Sequence, residues 1–308
     1  MSAVISNVPQ RAAEKQERQA AGRDKQHATA ENPFSVAGAT LFMIIFAVYF
    51  LGPIWWLIVA SSKLRSELTS TNGMWFAHPF MLFTNIKDTL SYDGGILVRW
   101  LLNSLLYAGL GAAVGTLFAS MAGYAIAKYV FPGREATFSI ILAGVLVPAT
   151  ALALPLFLLF SKVNGTDTFW SVFLPSIVSP FGVYLSRIYA ASSVPNELLE
   201  AARLDGAGEF RTFFVVAVRL MTPALVTIFL FQFVAIWNNF FLPLVMLQNQ
   251  KLYPVTLGLY NWNSTVNQAP ELQLFVIVGA LISVVPLILV FVSLQRFWQS
   301  GLAAGGVK

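Results

Sequence analysis

Residues 100–127 read WLLNSLLYAGLGAAVGTLFASMAGYAIA, 28 positions without one Asp, Glu, Lys or Arg. About 20 apolar residues carry a helix across the hydrocarbon core of a bilayer, whereas a helix buried in a soluble core keeps a polar stripe. Five more runs are equally free of charge, at 36–60, 136–160, 169–186, 220–247 and 272–294, and together the six take up nearly half of the 308 residues. The chain is 57% hydrophobic and 11% charged, with a mean hydropathy of +0.69. Soluble domains carry about 25% charged residues, so a soluble enzyme is excluded. The expected fold is an all-α membrane protein with six transmembrane helices. Its first run is far longer than the roughly 7–15 apolar residues of a signal peptide and is expected to stay as an anchor. With no cysteine and only His27 and His78, disulfide scaffolds, thiol catalysis and Cys/His zinc sites drop out.

Six spans put both termini on one side and sort the connections into two sets. The tails and the loops 128–135 and 187–219 hold thirteen of the nineteen Lys and Arg residues; the opposite set holds Lys63, Arg65, Lys87, Arg99, Lys162 and Lys251. The positive-inside rule then makes both termini cytoplasmic. On this reading the net charge of +5 belongs to cytoplasmic segments beside a lipid bilayer, with no nucleic-acid partner. Residues 1–32 mix both signs of charge and lack aromatics, which predicts a disordered cytoplasmic tail. Residues 33–308 are the transmembrane domain, with its main cytoplasmic loop at 187–219.

Gly111, Gly115, Ala119, Gly123 and Ala127 recur every fourth position, so one face of the second span is flat enough for another helix, of this chain or a neighbour, to approach closely. Prolines at 53, 148, 155, 175, 180, 223, 243 and 286 each remove a backbone donor and favour kinks. The polar residues inside the spans are neutral. Gln232 and Asn239 are seven apart and share a face, Trp237 and Asn238 stand beside them, and Asn103 opens the second span. These five are the candidates for a pathway taking a polar, uncharged solute such as a sugar, and they equally suit interhelical hydrogen bonds. No carboxylate or imidazole lies within a span, which argues against ion-coupled carriers and against an intramembrane enzyme, so no catalytic or metal-binding residue is assigned. No G-x-x-x-x-G-K-[ST] phosphate loop occurs either. A pump built from this chain draws its energy from another subunit.

Residues 193–208 read SVPNELLEAARLDGAG. Ser193 is placed to cap a helix, Pro195 to occupy its first turn, Glu197 and Glu200 to face the positive end of the dipole, and Gly206 to end it. The pattern predicts about three helical turns over 195–205, marginal alone in water. Helices that lie flat on lipid favour basic polar faces; this one begins acidic and has Ala201 and Ala202 at its middle, so it suits a groove on another protein.

The run Glu200-Ala201-Ala202-x-x-Asp205-Gly206-Ala207 resembles the EAA loop of ABC importer permeases, the coupling helix that sits in a cleft of the ATPase subunit. Residues 125–134 (AIAKYVFPGR) resemble the family's segment after its second span, and Trp237-Asn238-x-Phe240-x-Leu242-Pro243 its fifth-span signature. The C-terminal residues 295–308 are similar to those of the maltose-type, carbohydrate-uptake branch, and the likeness extends over residues 36–308. It implies a type I ABC importer permease fold in a bacterial cytoplasmic (inner) membrane. It also implies as partners a second homologous permease, two cytoplasmic ATPases and an extracytoplasmic solute-binding protein. ATP and Mg would be used by the ATPase subunits, with no cofactor on this chain. By the same resemblance Glu200, Ala201, Ala202, Asp205 and Gly206 form the ATPase-coupling surface. The outer loops 61–99 and 248–271 would face the binding protein, with Tyr253, Tyr260 and Trp262 suited either to that contact or to interfacial anchoring. Two positions depart from the family pattern: Val218-Arg219 stands where a Leu-Pro pair is usual, which shifts the expected kink towards Pro223, and Asn239 stands where an acidic residue is common.

Overall fold

The computed structural model describes residues 33–305 of the chain; the expected tail at 1–32 and the last three residues lie outside the described residues. The chain divides into two compact units, Met1–Trp55 and Trp56–Lys308. The described part of the first belongs to helix α1 (Pro33–Ser61), whose side chains from Phe34 to Leu51 are all exposed.

In the second unit the main helices follow in order as α2 (Leu82–Ser91), α3 (Ile96–Lys128), α4 (Arg134–Val145), α5 (Ala149–Lys162), α6 (Phe169–Ser176), α7 (Pro180–Ser193), α8 (Asn196–Leu204), α9 (Thr222–Trp237), α10 (Val255–Ser264) and α11 (Leu272–Gly305). Among the described residues four segments are long and apolar enough to cross a membrane: Phe34–Ser61, Ile96–Lys128, Phe169–Ser193, which is interrupted between α6 and α7, and Leu272–Gln295. Of the other two charge-free runs, 136–160 is bent within and 220–247 is entered through a bend. α4 and α5 meet at 101°, and the segment Glu209–Leu220 meets α9 at 84°.

Each break has a local cause. Pro148 lacks an N–H, and the ring disfavours helical geometry at Val147; Pro148 itself is extended (φ −60°, ψ 128°) and opens α5. Between α6 and α7, Ser179 accepts the Gly182 N–H at 3.2 Å and Pro180 starts α7, where a missing donor costs nothing. Pro223 likewise stands in the first turn of α9, just beyond the bend at Met221. By contrast Pro53, Pro155 and Pro286 lie within helices that continue past them.

The long helix α3 is the spine of this unit. A Cβ on Gly111 would stand 2.8 Å from Ile236 Cδ1, one on Gly115 2.8 Å from Gln232 Nε2, and one on Gly123 2.6 Å from Ser186 Cβ. The small-residue face is therefore filled by α7 and α9 of the same chain. At the other end, Gly258 of α10 accommodates the Trp100 ring, and Trp100 packs on Trp262 with ring centroids 4.8 Å apart. Two expectations are corrected here. Trp262 and Tyr253, 5% and 9% exposed, belong to this core because α10 folds back on α3, leaving Tyr260 as the exposed aromatic of the three. Ser193 ends α7 instead of capping the next helix: the Val194 N–H still bonds Ala190 O, and Pro195 takes the cap position.

Candidate functional site

Two regions combine exposed groups with defined geometry, and α3 runs between them. The first surrounds α8. Only Leu199 of this helix is fully buried, in a pocket with Tyr124, Ala190, Val194, Phe213, Ala217 and Met221. Glu200, Ala201, Asp205 and Gly206 are exposed and Ala202 is half-buried. The turn that stops the helix is built on Gly206, whose φ of +77° is open to glycine at little cost. Gly206 N–H donates to Arg203 O at 3.0 Å and Ala207 N–H to Ala202 O at 2.9 Å, which satisfies two carbonyls the helix end would leave unpaired. Leu198, Leu204 and Phe210 add large apolar side chains, with Leu204 89% exposed. The result is a short, acidic-and-apolar ledge with one buried anchor.

Side chains tie both ends of α8 to the end of α3. Lys128 Nζ donates to Asn196 Oδ1 at 3.1 Å. Tyr129 donates its hydroxyl to the Glu209 carboxylate, which also accepts Arg203 Nε–H at 3.0 Å. These two bonds, Tyr129 first, hold the Glu209 carboxyl below the usual carboxylate range, while burial and then Glu209 raise the Tyr129 phenol. Beside them Arg187 of α7 binds both oxygens of Glu135 on α4, at 2.7 and 2.9 Å, and lies 3.9 Å over the Phe138 ring.

The second region is a cavity of about 760 Å³. It opens where helices are interrupted: its wall takes in Gly144–Thr150 residues at the α4–α5 break, Ser176 and Ser179 at the α6–α7 break, and Asn239 and Leu242 past the end of α9. Interrupted helices expose backbone polar groups that a continuous rod would hide. Gln232 Nε2 donates to Ser176 O at 2.7 Å, covering one of them, and a buried carbonyl left without a partner would cost about 1–3 kcal/mol. Of the five pathway candidates, Gln232 and Asn239 come together on this wall. Trp237 is 2% exposed and stacks on Phe233 in the core. Asn238 is exposed and donates to Val234 O, and Asn103 donates to Lys251 O and Tyr253 O, both at 2.9 Å. Ser179 and Thr150 also line the cavity, and the only hint of them in the sequence was their proximity to Pro148 and Pro180.

Asn103 belongs to a third set of contacts, which fixes residues 248–255. Trp100 Nε1 donates to Gln250 O, Arg99 Nε to Lys251 O, and Ser104 Oγ accepts the Val255 N–H. From the other side Asp167, in the left-handed region at φ 55°, accepts the Gln248 and Asn249 N–H groups at 2.8 Å each.

With this geometry in hand, residues 115–303 match the protein family described as binding-protein-dependent transport system inner membrane component. The chain is 36% identical over 270 residues to the arabinooligosaccharides transport system permease protein AraQ of Bacillus subtilis (strain 168), covering 87% of this chain and 94% of that protein. It is 30% identical over 275 residues to the lactose transport system permease protein LacG of Rhizobium radiobacter, covering 89% and 95%. Among solved structures, a chain from a bacterial ABC transporter involved in the import of the acidic polysaccharide alginate superposes with a TM-score of 0.75 at 23% identity. That match covers 88% of this chain and 99% of the other.

Proposed function

The chain belongs to the family of binding-protein-dependent transport system inner membrane components, and from that membership we propose that it forms half of an ATP-driven pathway for a sugar or oligosaccharide. It is a multi-pass permease subunit, not itself an enzyme, of an importer that works with an ATPase and a solute-binding protein. In our reading a second homologous permease completes the pathway, and two cytoplasmic ATPase subunits hold ATP and Mg. The sugar assignment is supported by relatives named for arabinooligosaccharides and lactose and by a cavity whose lining contributes Gln232, Asn239, Ser179 and Thr150 but no charge.

Six spans with both termini cytoplasmic is the topology we assign, counting α4 with α5 as one span and starting the fifth at α9, past the bend that ends the loop 187–219. Contacts among the connections support it. Loops 128–135 and 187–219 meet through Lys128–Asn196, Tyr129–Glu209 and Glu135–Arg187. Asp167 and Arg99 meet residues 248–251. Alternation along the sequence assigns these groups to opposite sides.

The observation that carries the mechanism is the ledge at α8, anchored by Leu199 and otherwise turned outward. Closure of the ATPase pair on ATP would push this ledge, and the spans would pass from inward- to outward-facing. Ala201 and Ala202 permit close approach, Glu200 can pair with a basic or backbone donor, and Gly206 with Asp205 holds the turn. Glu200→Arg or Gly206→Asp is therefore expected to leave the protein in the membrane, release the ATPase on purification and abolish uptake. Wild-type co-purification and uptake in both variants would sink the reading.

A further inference from the structure

Movement of α8 can reach the spans by two routes. Along the chain it must pass the one-turn helix Glu209–Thr212, the π-helical turn Phe213–Ala217 and the 84° bend before α9. Wide turns and bends are compliant places in a helix, so a push delivered this way is partly absorbed. The other route crosses space to α3 through the side chains at its end.

We propose that Glu209 is the positioning residue that makes the second route stiff, fastening the coupling helix to α3 so that the two move together; this rests on the reading of α8 as the ATPase-docking helix. Its carboxylate touches both parts, accepting Tyr129 Oη–H just beyond α3 and Arg203 Nε–H within α8. The Lys128–Asn196 bond fixes the opposite end of α8, and Leu199 is held between them beside Tyr124 of α3. Two ties and a plug restrain α8 from rocking end over end against α3. α3 in turn meets α7 and α9 through Gly123, Gly115 and Gly111 with no room for a Cβ. Close packing of this kind transmits displacement instead of absorbing it. Gln232 and Ile236 on α9, which face Gly115 and Gly111, also line the cavity. A path of direct contacts thus leads from Arg203 through Glu209, Tyr129 and α3 to the cavity wall.

A purely structural ion pair would behave differently. The Arg203 and Glu209 side chains are 46% and 50% exposed, and pairs so exposed contribute little to stability. Removing the tie is therefore expected to leave assembly and melting nearly unchanged and to show itself in coupling alone.

The test uses the complete complex, with its ATPase subunits and binding protein, in liposomes. It compares Glu209→Gln, Tyr129→Phe, the double variant and Glu209→Asp. ATPase co-purification is expected at wild-type level in all four. Solute imported per ATP hydrolysed is expected to fall about five-fold in each of the first two, the scale of one exposed ionic contact. The double variant falls no further, since both changes cut the same tie, and Glu209→Asp regains much of the ratio by keeping the charge. Loss of the ATPase from Glu209→Gln would overturn the proposal, because Glu209 would then be part of the docking surface. If Glu209→Gln lowers the melting temperature, Tyr129→Phe decides alone, since it deletes one hydroxyl and keeps the ring. A wild-type ratio in Tyr129→Phe and Glu209→Gln while Gly206→Asp abolishes uptake would overturn the proposal and leave the coupling reading standing. Wild-type uptake in Gly206→Asp would instead remove the reading on which it rests.

Discussion

At Gly123 one carbon atom decides how closely α3 and α7 can lie. A Cβ there would stand 2.6 Å from Ser186 Cβ and 2.7 Å from the backbone nitrogen of Arg187, and a backbone atom in a helix cannot swing aside. Gly109, on the same helix, has nothing within 4 Å of the position its Cβ would occupy. Gly123→Ala is therefore expected to force the helices apart at an overpacking cost of about 1–3 kcal/mol, whereas Gly109→Ala is neutral or slightly stabilising through helix propensity. Thermal melting of the two purified complexes checks the pair: equal melting temperatures would mean that the α3–α7 interface yields. The spacing of the small residues was legible in the sequence because it depends only on helical geometry. Their partner was not, since either α7 and α9 or a second subunit could have filled the same face.

At the level of the element, the breaks between helices matter more than the helices. The α4–α5 corner at Pro148 supplies one wall of the cavity, with Gly144, Val145, Val147, Pro148, Ala149 and Thr150 all lining it. Pro148→Ala restores an N–H and relieves Val147, so α4 and α5 are expected to gain helical continuity and the wall to flatten. Uptake should drop several-fold while the ATPase, for which docking at α8 is proposed, stays bound. Pro155→Ala, in a helix that already continues through the ring, is the matched control and should transport normally; a similar loss in both would show that the corner itself is not needed. The sequence supplied eight candidate prolines and no means of ranking them, because a proline breaks a helix only where the freed carbonyls and the neighbouring packing offer an alternative. The same limit explains Ser193. Its residue type suits a cap, but α7 keeps its hydrogen bonds through Val194, and Pro195 is where the backbone turns extended. Gly206 was legible as a stop because its positive φ is a local requirement that few other residues meet.

At the scale of the whole chain, the charge-free runs located the membrane segments, but one was bent and another was entered through a bend in ways that length and hydropathy do not encode. Trp262 and Tyr253 were misread for a related reason: aromatics between spans suit an exposed surface as well as a core, and only the return of α10 onto α3 separates the two. The topology assigned here can be tested directly because the chain has no cysteine, so any introduced thiol is unique. Val130 and Leu204, 94% and 89% exposed, lie in loops that bond to each other through Lys128–Asn196 and Tyr129–Glu209. Val163 and Met74, 72% and 52% exposed, lie in the loops assigned to the opposite side. In intact cells a membrane-impermeant maleimide is expected to label Val163→Cys and Met74→Cys and to spare Val130→Cys and Leu204→Cys until the membrane is opened. The positive-inside bias, thirteen basic residues against six, sets the direction of this result, and the loop contacts set its grouping. Labelling that keeps the grouping but reverses the sides would show that the charge bias had been outweighed. Labelling that splits Val130 from Leu204 would mean that a bent pair does not cross the membrane, and the six-span count would fall.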